Sequence, residues 1–326
     1  MTLRRPPAER SVGDLLSFGV VNLDKPPGPS SHQVAAWVRN LASDALADAD
    51  ESPLVERGTD RPIDRVAHGG TLDPKVTGCL PMLLGDAARA AQVFDDAEKE
   101  YVTILELHDS APPDFEAVVE EFEGRVYQTP PRKSAVVRER RVREIHELAI
   151  LEQYDRRALL RIRCDSGTYV RKLCHHLGLA LGTGAHMGEL RRTATGDFDD
   201  TSLATLHDFV DALAFWLEDG DDGPIREIVQ PAEVALAHLP TVVVAPSAAR
   251  EIAEGAPVYA PGVIAVHAGA DEGGNERDGA DDGDSPSEGA LVVVETPDGA
   301  AVALGHYRGG EAGDEGTVVE LERVLV

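Results

Sequence analysis

The sequence predicts an α+β chain of two domains, and three observations carry that expectation. With 326 residues of which 42% are hydrophobic, the chain is long enough to bury a core for each of two domains. Up to residue 238, helical apolar stripes are interspersed with strand-like alternation, as at 99–107, where Tyr101, Thr103, Leu105 and Leu107 alternate with Val102, Ile104 and Glu106. From Leu239 the pattern changes to short, regularly spaced strands around one helix, which suggests a small β-barrel-like domain over 239–326.

Taken in order, residues 1–18 show little periodicity and read as an N-terminal arm. Residues 19–25 read as a short strand ending in the turn Pro26-Pro27-Gly28-Pro29. Ser30, with Gln33 at the capping-box position, starts a helix whose stripe is Val34, Trp37, Val38 and Leu41. On its own, Asp24-Lys25 reads as a surface ion pair at a turn. The acidic stretch 43–64, with Pro53, Gly58 and Pro62, reads as an inserted solvated loop. Residues 79–84 read as a buried strand, with Asp86 capping an alanine-rich helix to Phe94. Residues 158–164 alternate as a strand, and Gly167 marks a break before a helix that turns Val170, Leu173 and Leu177 inward. His175 and His176 are adjacent on that helix and point about 100° apart, a poor metal pair. Strands are expected at 241–245, 257–259, 263–266, 291–295, 301–304 and 318–326, with a helix at 246–254. Residues 269–290, rich in Gly, Asp, Glu and Ser, read as a disordered acidic insertion.

No run of about 18 apolar residues occurs, and residues 1–10 lack an apolar signal core, so a cytoplasmic protein with no membrane partner is expected. Cys79, Cys164 and Cys174 form no Cys-x-x-Cys pair and suggest neither a disulfide framework nor a zinc site. The net charge of −27 ordinarily opposes nucleic-acid binding. Yet Lys25, Lys75, Lys99, Lys133 and Lys172 are the only lysines among 31 basic residues, and such an acidic, lysine-poor surface is similar to that of extreme halophiles' proteins. In roughly molar salt the Debye length is about 3 Å, so repulsion of RNA would be largely screened. Against that background residues 131–143 reverse the sign, with Arg132, Lys133, Arg138, Arg140, Arg141 and Arg143 against Glu139 alone, as expected where an anion sits opposite.

The stretch that organises the chain is His68-Gly69-Gly70-Thr71-Leu72-Asp73-Pro74-Lys75-Val76-Thr77-Gly78. The glycines permit positive φ and close approach of a ligand, and Pro74 keeps Asp73 out of the helical region, so the carboxylate is presented. Asp73-Pro74 alone is an ordinary turn. The whole string resembles the catalytic loop of TruB-type pseudouridine synthases, closest to the archaeal and eukaryotic, dyskerin-like branch found in box H/ACA particles. Other stretches recur in that family's order: Asn22 to Ser31, Lys99-Glu100-Tyr101, Pro130 to Val136, Gly167-Thr168-Tyr169-Val170-Arg171, and Gly184-Ala185-His186 through Leu190. The resemblance covers residues 19–265. It implies a catalytic domain over 19–238 with a central mixed, largely antiparallel sheet flanked by helices, followed by a PUA RNA-binding domain.

Uridine becomes pseudouridine when the N1–C1′ bond breaks, the freed base turns and C5 rejoins the sugar. No group is imported, so no cofactor is expected. The reaction needs a nucleophilic carboxylate, a pocket that retains uracil and extraction of the nucleotide from its stack. The resemblance assigns Asp73 as the nucleophile, Arg171 as the cation that pairs with it and keeps it ionised, and Tyr101 as the ring that stacks on the base. It also places Tyr169 beneath the site, Leu190 on the pocket wall, His68 near the flipped nucleotide, and Lys25 among the substrate-binding residues. Expected partners are rRNA and tRNA substrates, a box H/ACA guide RNA, and the particle's nucleolar-protein-like, Gly/Arg-rich-type and kink-turn-binding subunits. The alternatives are guide-free modification of the tRNA T-loop uridine and, less favoured, a non-catalytic RNA-binding scaffold. A carboxylate hydrolase would need a second acid at a comparable motif, and none is evident.

Overall fold

The computed structural model describes residues 3–49, 62–130, 137–269, 285–309 and 316–326. The expectations for Arg132 and Lys133, and for most of 269–290, lie outside these residues.

Within the first 238 residues the strands are β1 (Gly19–Lys25), β2 (Val66–His68), β3 (Thr77–Leu84), β4 (Lys99–Leu107), β5 (Gly124–Gln128), β6 (Arg141–Tyr154), β7 (Arg157–Cys164), β8 (Ala185–Thr195), β9 (Phe198–Asp199) and β10 (Val229–Pro231). They form one sheet in the order β10-β1-β3-β8-β4-β7-β6-β5, with β2 on β3 and β9 on β8. Pairing is antiparallel except for the short β3–β8 match of Thr77 with Arg191 and Gly78 with Arg192. The flanking helices are α1 (Val12–Ser17), α2 (Ser31–Asp48), α3 (Phe115–Glu120), α4 (Val170–Ala180), α5 (Leu206–Ala214) and α6 (Gly223–Ile228). The expected mixed, largely antiparallel sheet flanked by helices is therefore present.

A second sheet gathers β11 (Thr241–Val244), β12 (Val258–Tyr259), β13 (Val263–His267), β14 (Leu291–Glu295), β15 (Ala301–Tyr307) and β16 (Thr317–Val324), with α7 (Pro246–Ala253) packed on it. Its order is β12-β16-β15-β14-β11-β13.

Four expectations need correction. Residues 12–18 are not a free arm. Ser11 and Asp14 close a capping box at the start of α1, and Leu15, Leu16 and Phe18 are buried. A helix of six residues is simply too short to display a period. Trp37 is 46% exposed, so the inward stripe of α2 is carried by Val34 and Val38. The same helix runs on to Asp48 with Ser43, Ala45 and Leu46 buried, so the acidic stretch does not begin as a loop at 43. Asp44 and Asp48 ride its outer side, and Ile63 returns to the core. Finally, residues 85–94 form a 3-10 segment that Asp86 does not cap, because its carboxylate pairs with Arg4 and Arg89.

Candidate active site

Two cores meet beneath the site. One contains Leu23, Val34 and Val38 together with Leu72 and Val76, the residues that flank Asp73. The other contains Leu105, Ile162, Val170 and Leu173, and so supports the helix that carries Arg171. Tyr101 and Leu190 are partly buried and pack against both. The aromatic ring and the leucine expected at the pocket thus lie on the seam between the base of the acid and the base of the guanidinium. Their placement follows from register: β4 pairs with β8 so that Leu190 faces Thr103 and Arg192 faces Tyr101.

The Asp73 loop is fixed from below by groups that never reach solvent. Lys25 is fully buried, and its ammonium donates to the carbonyls of Pro26 (2.9 Å), Pro74 (3.1 Å) and Val76 (2.8 Å). Burial lowers its pKa, opposed by attraction to Asp73. Lys25, expected among the substrate-binding residues, is enclosed by these three carbonyls and buttresses the loop. It does not pair with Asp24, whose carboxylate accepts two bonds from Arg191 at 2.9 and 3.1 Å. Ser31 Oγ accepts from the N–H of Leu72 at 2.8 Å and donates to its carbonyl at 3.2 Å, tying the loop to the first turn of α2. Buried Arg192 donates to the carbonyls of Cys79 (2.7 Å) and Gly70 (3.2 Å). Gly78 has φ +98°, and a Cβ there would lie 2.1 Å from the Arg192 carbonyl, so only glycine fits.

Arg171 stands in the first turn of α4 and donates to the Asp73 carboxylate. Both side chains are about half exposed, 53% and 56%, so the pair is open to solvent. Exposed pairs typically contribute about 0–1 kcal/mol, too little to explain this one as a stabilising device. Burial pushes the Tyr101 phenol up, and Arg192 pulls it back only in part, so the ring stays neutral. His68 lies edge-on to His32 at 5.2 Å, and burial, then His32, lowers its pKa and favours the neutral ring. Tyr169 is the residue before α4, where its peptide N–H donates to the side chain of Gln128 at 2.8 Å. Arg141 opens β6 opposite Gln128, Arg140 sits 5.9 Å from the exposed ring of Tyr127, and Arg138 donates to the Pro130 carbonyl. Among the described residues no group of three or more His, Cys, Asp or Glu side chains is arranged to hold a metal.

Three family models match the chain: the TruB family pseudouridylate synthase N-terminal domain at 60–114, the tRNA pseudouridylate synthase B C-terminal domain at 171–237, and the DKCLD (NUC011) domain at 5–35. "Probable tRNA pseudouridine synthase B" of Haloarcula marismortui is 63% identical over 100% of this chain and 94% of its own length. The chain belongs to the TruB family of pseudouridine synthases. A protein of the same name from Halobacterium salinarum is 52% identical over the full length of both chains. Among solved structures, a Cbf5-Nop10-Gar1 complex matches with TM-score 0.82 and 39% identity over 100% of this chain and 90% of that one. An H/ACA RNP bound to a substrate RNA containing 2′-deoxyuridine matches with TM-score 0.80 and 38% identity, over 99% and 90%. Within this TruB-family site, Ser31 and Gln128 escaped the sequence reading. Both are uncharged, and their value rests on a peptide group that the chain brings from at least 41 residues away.

Proposed function

We propose that this TruB-family synthase acts in the cytoplasm as the catalytic subunit of a box H/ACA guide ribonucleoprotein, isomerising uridines that a guide RNA selects by base pairing. Support comes above all from one arrangement: the ion pair of Asp73 with Arg171, open to solvent, beside a seam lined by Tyr101 and Leu190. A uridine flipped into that seam stacks on Tyr101, an interaction of about 1–3 kcal/mol, and Leu190 closes over it. Arg171 yields the Asp73 carboxylate to the nucleotide, and the rigidly buttressed loop keeps that carboxylate in place while the N1–C1′ bond breaks and the C5–C1′ bond forms. Neutral His68 lies at the edge of the same loop, and Tyr169 anchors the helix beneath. Arg138, Arg140 and Arg141, with the exposed ring of Tyr127, suit the RNA backbone and unpaired bases.

Among the described residues no helix is long and apolar enough to cross a membrane. Similarity to complexes containing Nop10 and Gar1 favours equivalents of those two small proteins as partners. The kink-turn-binding subunit rests on family resemblance alone. Residues 239–326, with their six-stranded sheet, take the part of the PUA domain that would hold an RNA terminus. A second reading, guide-free modification of the tRNA T-loop uridine, is favoured by the names borne by the haloarchaeal relatives.

The test is to assay tRNA and rRNA transcripts at high potassium with and without guide RNA and partner proteins. Guide-dependent product supports the particle, and product on tRNA alone supports the second reading. Asp73→Asn should form no pseudouridine while binding RNA nearly as well as wild type; wild-type turnover by this variant would remove Asp73 from the mechanism.

A further inference from the structure

The start of α4 has no side-chain cap of its own, and the residues leading into it are bonded to the neighbouring β5–β6 pair. Gln128, the last residue of β5, is 2% exposed. Its amide is used twice, accepting from the N–H of Tyr169 at 2.8 Å and donating to the Tyr169 carbonyl at 3.3 Å. Two residues upstream, the Arg143 guanidinium lies over Gly167, within 3.3 Å of where a Cβ would stand. Further back, the N–H of Glu144 donates to the Asp165 carboxylate at 2.8 Å, and the N–H of Asp165 returns a bond to the Glu144 carbonyl at 3.0 Å. His146 Nε2 lies 3.1 Å from the same carboxylate. Residues 165, 167 and 169 are thus seated on residues of β5 and β6. That strand pair also carries Arg141 and Tyr127, with Arg140 directly before β6, the groups facing outward to RNA in the reading above, on which this inference rests.

We propose that Gln128 is a positioning residue that links RNA engagement by the basic β5–β6 pair to the placement of Arg171 against Asp73. Gln128 is itself too buried to touch RNA, and it carries no charge, so its contribution lies in the two bonds to Tyr169. Arg171 is two residues beyond that clasp. A shift of β5 under a bound phosphate chain carries the helix start with it, since leaving a buried amide unpaired is costly. The guanidinium therefore moves off or onto Asp73 according to whether RNA is seated.

The test compares wild type, Gln128→Leu and Gln128→Glu in single-turnover assays at saturating RNA, with affinity measured in parallel. Glutamate keeps the acceptor for the Tyr169 N–H and, with its buried carboxyl protonated, the donor to the Tyr169 carbonyl; leucine keeps only the volume. The leucine variant should isomerise at least about tenfold more slowly, about 1.4 kcal/mol, with RNA affinity within about twofold, and glutamate should recover most of the rate. Addition of RNA should slow amide exchange at residues 169–172 in wild type and not in the leucine variant. A leucine variant at wild-type rate, rate and affinity lost together without rescue by glutamate, or wild-type exchange at 169–172 unmoved by RNA would each overturn the proposal. A wild-type protein that makes no pseudouridine on any guided or tRNA substrate would instead sink the underlying functional reading.

Discussion

Lys99 carries a charge into the interior, where among the described residues no salt bridge meets it. It is 4% exposed, donates to the carbonyls of Phe94 (3.0 Å) and Ala97 (2.7 Å), and burial, then Arg192, lowers its pKa to about 8. Between about 8 and its ordinary 10.5, the unfolded chain therefore holds the extra proton and the folded chain does not, so stability rises with pH across that window. Relative to Lys99→Met, wild type should gain up to about 3 kcal/mol between pH 8 and 10.5, measured by denaturant unfolding at both ends. The thiols behave similarly: burial pushes Cys79 up to about 11 and Cys164 and Cys174 to about 12. Iodoacetamide at pH 8 should label none of them until the protein unfolds; fast labelling of the native state would contradict that burial. At this scale the sequence disclosed the groups whose chemistry is unusual for their setting, such as Asp73 between glycines and a proline. Lys25 was misjudged because a lysine before Pro-Pro-Gly-Pro looks exposed, and its three carbonyl partners include two supplied by the loop at 74–76.

Among the elements, β3 shows how tightly the catalytic loop is joined to the sheet. Gly78 in the left-handed region allows the loop to enter β3 directly against Arg192 of β8. Gly78→Ala should cost at least about 1–3 kcal/mol and depress turnover further than a remote substitution of equal cost, because the Asp73 loop must retreat with it. Equal losses for the two would show that the loop tolerates the shift. Ser31→Ala should give a milder version, about 1 kcal/mol in stability. Strands β1, β3, β4 and β7 were legible because alternation or continuous apolarity marked them, and α4 because a glycine break preceded a regular stripe. The end of α2 and the existence of α1 were not. In α2 an acidic composition masked a buried face formed by Ala42, Ala45 and Leu46, and in α1 six residues offer barely two turns.

At the scale of the whole molecule, the N-terminal segment joins the two sheets. Arg10, 2% exposed, gives two bonds of 2.6 Å to Glu233, whose carboxylate also accepts from the N–H of Ala301 in β15. Arg4 donates to the Leu325 carbonyl and lies over the ring of Phe18. Phe18 and Val20 share a core with Val293, Ala301, Leu304 and Leu325. Arg10→Met should cost about 3 kcal/mol by stranding the largely buried Glu233 carboxylate, and Arg10→Met with Glu233→Met should recover a substantial part, both read by urea unfolding. A double variant no better than the single one would assign the cost to lost packing alone. Sequence could not foresee this junction, since its partners are separated by up to 321 residues. That separation has a bearing on biosynthesis. Phe18 can meet Leu325 only once the residues between them have left the ribosome, so a nascent chain stalled earlier holds that apolar surface open, and in a crowded cell it is there that chaperones should bind.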